Sequence, residues 1–451
     1  MRKVLIVTHL VRASPRIPGL AKYLPEFGWE PIVLTAPLHM GHSLGHGNDT
    51  TSTAFRTINV EYVDSVGRLS GFLKRSSGFE AGEGVRRQSE KRYGSRSVKS
   101  LFIGFSLRVF KEMFYYPDQD KSLKNPAIQA GRQLLEKEPV DAIISSSSPV
   151  TSHLIAKSLK AQQNIPWVAD LRDLWSQNHN YPYTGLRKML DRRLEKKALR
   201  PADALVTVAE PLVEKLKTLH KGKQVYSVPN GFDPEEVNPG RKLTGKFTVT
   251  YTGQIYRGKQ DPLKLLRALK KLIDKGTIDP SDVEVRFYGY EEAWLASAIA
   301  HLGLGEVVKQ YGEIPRKEAL EKQRESQALL LLNFEDPSEK GTVTMKIFEY
   351  LAAKRPIIVT GGFDEDVKEQ MLNETKAGVY TKDEQSIEKT LKTMYQEYKA
   401  KGKVSYSGID EKINIYSHRE MARKFAAILD NLIQEQNGKP ASVEARSGKA
   451  A

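Results

Sequence analysis

The feature that most constrains this chain is an alternation that runs through it twice. Short apolar, β-branched runs are followed by amphipathic stretches with helical spacing and then by the next apolar run. The first series places strands at Val4–Thr8, Pro31–Thr35, Asp141–Ser145, Trp167–Ala169, Ala204–Val208 and Val225–Val228. Helices fall between them at Leu20–Phe27, Val150–Lys160, Leu186–Leu199 and Leu212–Leu219. The second series begins at Phe247, with strands at Thr248–Tyr251, Val283–Tyr288, Ala328–Leu332 and Ile357–Thr360. Strands interleaved with helices of this length predict parallel sheets covered on both faces.

A chain of 451 residues exceeds what one hydrophobic core supports, so two domains are expected. Asp233–Lys246 (DPEEVNPGRKLTGK) is polar and contains Pro and Gly, which predicts an interdomain linker. The fold class is α/β: two Rossmann-like, doubly wound domains facing a cleft, over 1–235 and 247–412. An amphipathic helix over Ser417–Gln434 follows, and 436–451 is expected to be a disordered tail.

Composition narrows the function. A net charge of +15 calls for an anionic partner: nucleic acid, an acidic lipid surface or phosphorylated substrates. The absence of cysteine excludes disulfides, Cys-ligated zinc and thiol catalysis, and fits a cytoplasmic protein. No apolar run approaches the roughly 20 residues a bilayer span needs. Arg68–Lys111 concentrates eleven Lys/Arg against three Glu and adjoins an aromatic-rich amphipathic stretch, Leu101–Tyr116. That pairing suits an anionic membrane surface, or equally an apolar face packed inward beneath a solvated loop. His39, His42 and His46 match no zinc spacing, and no metal is expected.

Ligand chemistry concentrates at the ends of strands. Gly341–Ile358 (GTVTMKIFEYLAAKRPII) reads as loop, short helix and buried strand, with Thr342 or Thr344 able to cap the helix. Lys346 and Glu349 share a helix face at i,i+3 spacing. A cation at a helix N-terminus suits a phosphate, and a carboxylate one turn on suits a vicinal diol; the plain alternative is a solvated ion pair. After the strand at 248–251, TGQIYRGKQDP offers Gly253 for close backbone approach, with Arg257 and Lys259 as cations over the cleft mouth. It is neither a Walker A loop nor GxGxxG. ADLRDLW puts Asp170, Arg172 and Asp173 at another strand end, where they are expected to face the cleft as catalytic residues; the structural alternative is an ion-pair cluster that orders the loop. No Ser has a GxSxG context, so Ser/His/Asp chemistry is unsupported.

At these residues the chain resembles glycosyltransferase family 4 (group 1), retaining transferases of GT-B fold. TMKIFEYLAAKRPII is the strongest piece, and KYLPEFGWEPIVLT, SSSPVTSHLIA, ADLRDLW, VPNGFD and YTGQIYRGKQDP follow the family order. The resemblance implies an acceptor-binding domain at 1–235 and a nucleotide-sugar-binding domain at 247–412. A helix at 413–435 would cross back to the first domain. It further implies that Glu349 binds the ribose hydroxyls and that Lys259, with Arg257, neutralises the diphosphate. Lys346 and the amides of Thr342, Val343 and Thr344 would complete the donor site. The donor would be a nucleotide-diphosphate sugar, and the acceptor a lipid-linked or saccharide hydroxyl in surface-polysaccharide or glycolipid synthesis. No metal would be required, and retention would follow a front-face path without a protein nucleophile. The chain departs from the family where many relatives carry a second Glu, eight residues before Glu349. Gly341 stands there, with Glu335, Asp336 and Glu339 nearby.

Three readings therefore stand side by side. The leading one is a hexosyltransferase-type enzyme in the cytoplasm, with peripheral contact to the inner membrane face. A non-catalytic GT-B scaffold is motivated by Gly341. A nucleic-acid-binding protein is suggested only by the charge, and no nucleic-acid module is present.

Overall fold

The computed structural model describes residues 1–12, 15–37, 55–62, 112–178, 181, 183–238 and 240–438. The three histidines, the basic stretch, most of the aromatic helix expected at 101–116 and all but the start of the tail lie outside them.

The first domain runs β1 (Arg2–Val7), α1 (Arg16–Tyr23), β2 (Trp29–Thr35), β3 (Arg56–Asn59), α2 (Lys124–Lys137), β4 (Ala142–Ser147) and α3 (Thr151–Gln163). It continues with β5 (Trp167–Leu171), α4 (Gly185–Leu199), β6 (Ala204–Thr207), α5 (Glu210–Leu219) and β7 (Gln224–Ser227). These seven strands form one sheet in the order β3-β2-β1-β4-β5-β6-β7. Every pair in it is parallel.

The second domain runs β8 (Phe247–Thr252), α6 (Leu263–Asp274), β9 (Val283–Tyr288), α7 (Ala293–His301), β10 (Val308–Gln310), α8 (Arg316–Glu325) and β11 (Ala328–Leu332). Then come α9 (Met345–Ala353), β12 (Ile357–Thr360), α10 (Val367–Thr375), β13 (Gly378–Thr381) and α11 (Glu384–Lys401). Its six-stranded parallel sheet has the order β10-β9-β8-β11-β12-β13. In both sheets the chain reverses its direction of travel beside the first strand. That leaves a crevice outside the carboxyl ends of β1/β4 and β8/β11, where doubly wound sheets take ligands.

The strands the sequence marks clearly are the buried ones: β4, β5, β6, β8, β11 and β12 carry buried residues at every position. A strand covered by helices on both faces excludes unpaired charge and carries mostly apolar or small uncharged residues, as in ALLLL of β11 and AIISSS of β4, so it reads as a continuous run. The strands without such a run, β3, β10 and β13, are all sheet edges, short and partly exposed. The helix expected at 20–27 is corrected: α1 ends at Tyr23 and Leu24–Phe27 continues as a tighter 3-10 turn containing Pro25. Proline cannot donate the hydrogen bond that would extend the helix.

The two domains are joined twice. After β7 the chain passes through a 3-10 turn at Pro234–Glu236 into the second domain, and after α12 (Asp410–Asn414) it returns. Phe232 and Ser417 pair in a parallel bridge, and the His418 N–H donates to the Phe232 carbonyl at 2.8 Å. The last helix, α13 (His418–Gly438), then packs Met421, Phe425 and Leu429 into the core of the first sheet with Val4, Ile6 and Trp29. It extends into the segment expected to be tail, held by Asp430, which accepts from Arg2 at 2.6 Å and from the Trp29 indole at 2.9 Å.

Candidate active site

β8 delivers a fully buried strand to Gly253, whose φ of +111° lies in the left-handed region. A Cβ there would stand 2.3 Å from Cε of Lys346, so glycine is what allows the lysine to cross the strand end. Lys346 sits in the first turn of α9. Its Nζ is 3.1 Å from the Tyr251 hydroxyl, 3.5 Å from the Gln254 carbonyl and 5.0 Å from the centre of the Tyr251 ring. Burial pulls its pKa down to about 8, against a small opposing pull from Glu349. A desolvated ammonium held by neutral oxygens and a ring face is stabilised by an incoming anion.

The N-terminus of α9 reinforces this. Thr344 is its N-cap in extended conformation, and its side chain makes no capping bond, which corrects the expectation that Thr342 or Thr344 caps the helix. The first-turn N–H groups are thus left without a side-chain acceptor. The turn before the helix is fixed from behind: the Lys368 ammonium, buried and paired with Asp366 at 3.0 Å, donates to the Thr342 carbonyl at 2.8 Å. Asp366 in turn accepts from Asn333 at 2.6 Å and from Tyr380 at 2.9 Å.

Glu349 lies one turn along the same helix. Its carboxylate meets Arg316 at 3.4 Å and the Gln323 amide at 3.4 Å. Arg316 also binds Glu236 of the linker through both terminal nitrogens, at 3.1 and 3.0 Å. One guanidinium therefore spans the proposed diol-binding carboxylate and the hinge. Gln323 is oriented by a 2.9 Å bond to the Thr252 hydroxyl. Neither Arg316 nor Gln323 is marked by the sequence, because GEIPRKEALEKQ reads as an ordinary polar helix start.

The loop after Gly253 carries the other two cations. Lys259 lies 3.4 Å from the buried Glu339 carboxylate, and the exposed Arg257 is held over the Trp294 ring at 5.7 Å. Lys346, Gly253 and Glu349 are thus assembled by packing, whereas Arg257 and Lys259 sit on an exposed loop.

Across the cleft, the strand-end cluster divides. Asp170 is fully buried and bound by Arg16 at 2.9 and 3.1 Å and by the Ser146 hydroxyl at 2.8 Å. It faces the interior, so the expectation of a cleft-facing catalytic carboxylate at this position is corrected. The cause is Arg16 of α1, whose guanidinium also donates to the Pro229 carbonyl at 2.9 Å and fastens α1 to the segment after β7. Arg172 is likewise spent on backbone carbonyls, those of Ser147, Ser148 and Arg12, at 2.7 to 3.2 Å. Asp173 alone of the three is exposed. It lines a cavity of about 190 Å³ with Arg172, Asn178, Leu212 and Lys215 on one side and Gly341, Thr342 and Val343 on the other. Gly341, with φ +95°, approaches the first domain so closely that a Cβ would lie 3.1 Å from Leu212. Among the described residues no group of three or more His, Asp or Glu side chains could hold a metal ion.

Two facing doubly wound domains, with the ligand-bearing strand ends turned into the cleft between them, are the GT-B fold of glycosyltransferases. The family model described as Glycosyltransferase Family 4 matches residues 87–236, about a third of the chain. No curated protein matches the sequence. Among solved structures, a glycosyltransferase from Rickettsia africae is similar over 96% of this chain and 99% of its own, at 13% identity and a TM-score of 0.60. The Anabaena HepE protein in complex with UDP is similar over 97% and 98%, at 12% identity and a TM-score of 0.53. Sucrose-phosphate synthase from Thermosynechococcus elongatus is similar over 97% and 98%, at 13% identity and a TM-score of 0.51. At these identities the likeness is one of fold.

Proposed function

We propose that the protein transfers a sugar from a nucleotide-diphosphate donor to an acceptor hydroxyl. The observation that carries this reading is Lys346: a buried ammonium among neutral groups, beside a glycine strand end and an uncapped helix N-terminus. The diphosphate would lie against Gly253, the Lys346 ammonium and the amides at Thr342, Val343 and Thr344. Lys259 and Arg257 would lie over it from the exposed side of the site. Glu349 would accept from the ribose hydroxyls, exchanging its contact with Arg316 for them. HepE, whose structure was solved with UDP, shares the fold, which supports a nucleotide-linked donor.

Charge develops on the leaving diphosphate as the glycosidic bond breaks, and these donors are fixed before that happens. Electrostatic stabilisation by a preorganised, partly desolvated site is then the principal catalytic effect, in place of a metal ion. A front-face departure would let the diphosphate take the acceptor proton and would retain the anomeric configuration. The acceptor, lipid-linked or saccharide, would enter the cavity between Asp173 and Gly341. Transfer to such an acceptor would place the enzyme in polysaccharide or glycolipid synthesis at the cytoplasmic face of a membrane.

Calorimetric titration with a panel of nucleoside diphosphates tests the reading. Binding of one of them, weakened in Glu349→Ala, is the expected result. Failure of every nucleotide to bind would move the assignment to a GT-B scaffold without turnover.

A further inference from the structure

We infer that the exposed face of α4 is a docking surface for an anionic lipid bilayer. The helix buries one stripe and presents the other to solvent. Its only carboxylates, Asp191 and Glu195, lie on the buried stripe, where Asp191 pairs with Arg187 at 3.0 Å and Glu195 accepts from Ser176 at 2.9 Å. The solvent face carries Lys188, Arg192, Arg193, Lys196 and Lys197, and Arg200 follows at the helix end, all exposed. Among the described residues none of these six has a carboxylate partner. The neighbouring helix adds Lys157, whose Nζ donates to the Lys197 carbonyl at 3.1 Å. Burial and the positive charges of Lys197 and Lys124 push its pKa down, as expected for a cation crowded by cations.

Charge alone fits several polyanions. The N-terminal end of the face decides between them. Leu186 is 56% exposed and Met189 44%, one turn apart, and Met113, which follows the Glu112 that accepts from Thr184, is 44% exposed. Large apolar side chains at one end of a cationic helix gain nothing against a phosphate backbone, but they enter the boundary between headgroups and acyl chains. Clusters of roughly 4–8 Lys/Arg on such a helix suit acidic lipid headgroups. The placement is also consistent: the loop from β5 that carries Asp173 and Asn178 of the interdomain cavity leads into the N-terminal end of α4, where Leu186 and Met189 stand. A lipid-linked acceptor would then reach the cleft without leaving the membrane, a consequence that rests on the transfer reading. The docking itself does not.

Flotation of the full chain with phosphatidylcholine vesicles, with and without one-third phosphatidylglycerol, tests the surface. The expected result is flotation with the anionic vesicles alone, reversed by salt. Joint replacement Arg192→Glu, Arg193→Glu, Lys196→Glu and Lys197→Glu should weaken it by at least about tenfold. Leu186→Ser with Met189→Ser should weaken it while leaving the residual binding salt-sensitive. Lys389→Glu with Lys392→Glu, an exposed pair on α11, should leave it unchanged. Thermal unfolding confirms that each variant is folded. Unchanged flotation of the fourfold variant would overturn the assignment, as would equal binding to neutral vesicles. So would binding to a polynucleotide at the same ionic strength with none to vesicles. Nucleoside diphosphate titration of the same samples reports on the donor site separately, so failure of either reading is visible alone.

Discussion

Gly253 and Lys346 are 93 positions apart in sequence, yet each determines what the other can be: a Cβ on the glycine would occupy the space of the lysine's Cε, at 2.3 Å. The contact ties the end of β8 to the first turn of α9, the two elements that would hold a diphosphate. Gly253→Ala should therefore cost about 1–3 kcal/mol of stability, because φ at +111° is strained for any side chain and the lysine must move. Nucleoside diphosphate affinity should fall with it. Chemical denaturation and calorimetry on the same variant separate the two effects.

The lysine itself predicts a pH dependence. Its pKa is lowered to about 8 by burial, so the ammonium that attracts phosphate is lost on passing above that value. Affinity for a nucleoside diphosphate should be constant well below pH 8 and fall above it, levelling off near the affinity of a site without the charge. Lys346→Met should weaken binding by about 2 kcal/mol and flatten this profile. The effect on stability has the opposite sense. A folded-state pKa below the unfolded value means the unfolded chain holds more protons between about 8 and 10.5, so this group's contribution to stability rises with pH across that interval. Titrations at several pH values, with denaturation at each, check both signs.

Glu349 and Arg316 make a separable pair. If the carboxylate receives the ribose hydroxyls, Glu349→Ala should weaken a nucleoside diphosphate by about 1–3 kcal/mol, and a 2′,3′-dideoxy analogue by much less. The comparison of the two ligands isolates the diol. Arg316→Ala should loosen the linker through Glu236, and hydrogen exchange should rise around Pro234–Glu236.

The Arg16–Asp170 salt bridge has no ligand to wait for. Asp170 and Arg16 are both fully buried, and removing one partner leaves the other as an unpaired buried charge. Asp170→Asn should destabilise the protein by about 3–5 kcal/mol. Nucleotide affinity of the folded fraction should stay unchanged. A large loss of affinity at full stability would restore the cleft-facing role.

The contrast between these two strand ends shows what the sequence could carry. Lys346 and Glu349 are legible because a helix fixes their relative position by spacing, and Pro356 with the Ile357–Thr360 run marks where the helix must stop. Asp170 is misread because burial is decided by a residue from another element. Nothing in ADLRDLW announces that Arg16, 154 positions earlier, will claim its carboxylate. Arg316, Gln323 and Lys368 are illegible for the same reason, since the first two gain their roles only when β8, α9 and the linker come together and Lys368 only when α10 meets the turn at Thr342. In the same way the buried strands are written as apolar runs, while β3, β10 and β13 depend on the neighbour that completes the sheet.

Gly341 gives the last prediction, at the position where the family resemblance leads one to expect a glutamate. Its φ of +95° already disfavours a side chain, and a Cβ would press on Leu212 of the facing domain at 3.1 Å. Gly341→Glu should therefore part the two domains at this edge rather than supply a carboxylate to the cleft. Its cost should be at least about 1–3 kcal/mol where backbone strain alone is counted. Leu212→Ala removes the facing branch and should recover the steric part but not the backbone part. The coupling is measurable as a double-mutant cycle, in which an interaction of about 0.5–3 kcal/mol is expected for residues in contact. Additive effects would show that the domains do not meet here in solution and that the glycine serves only its own turn.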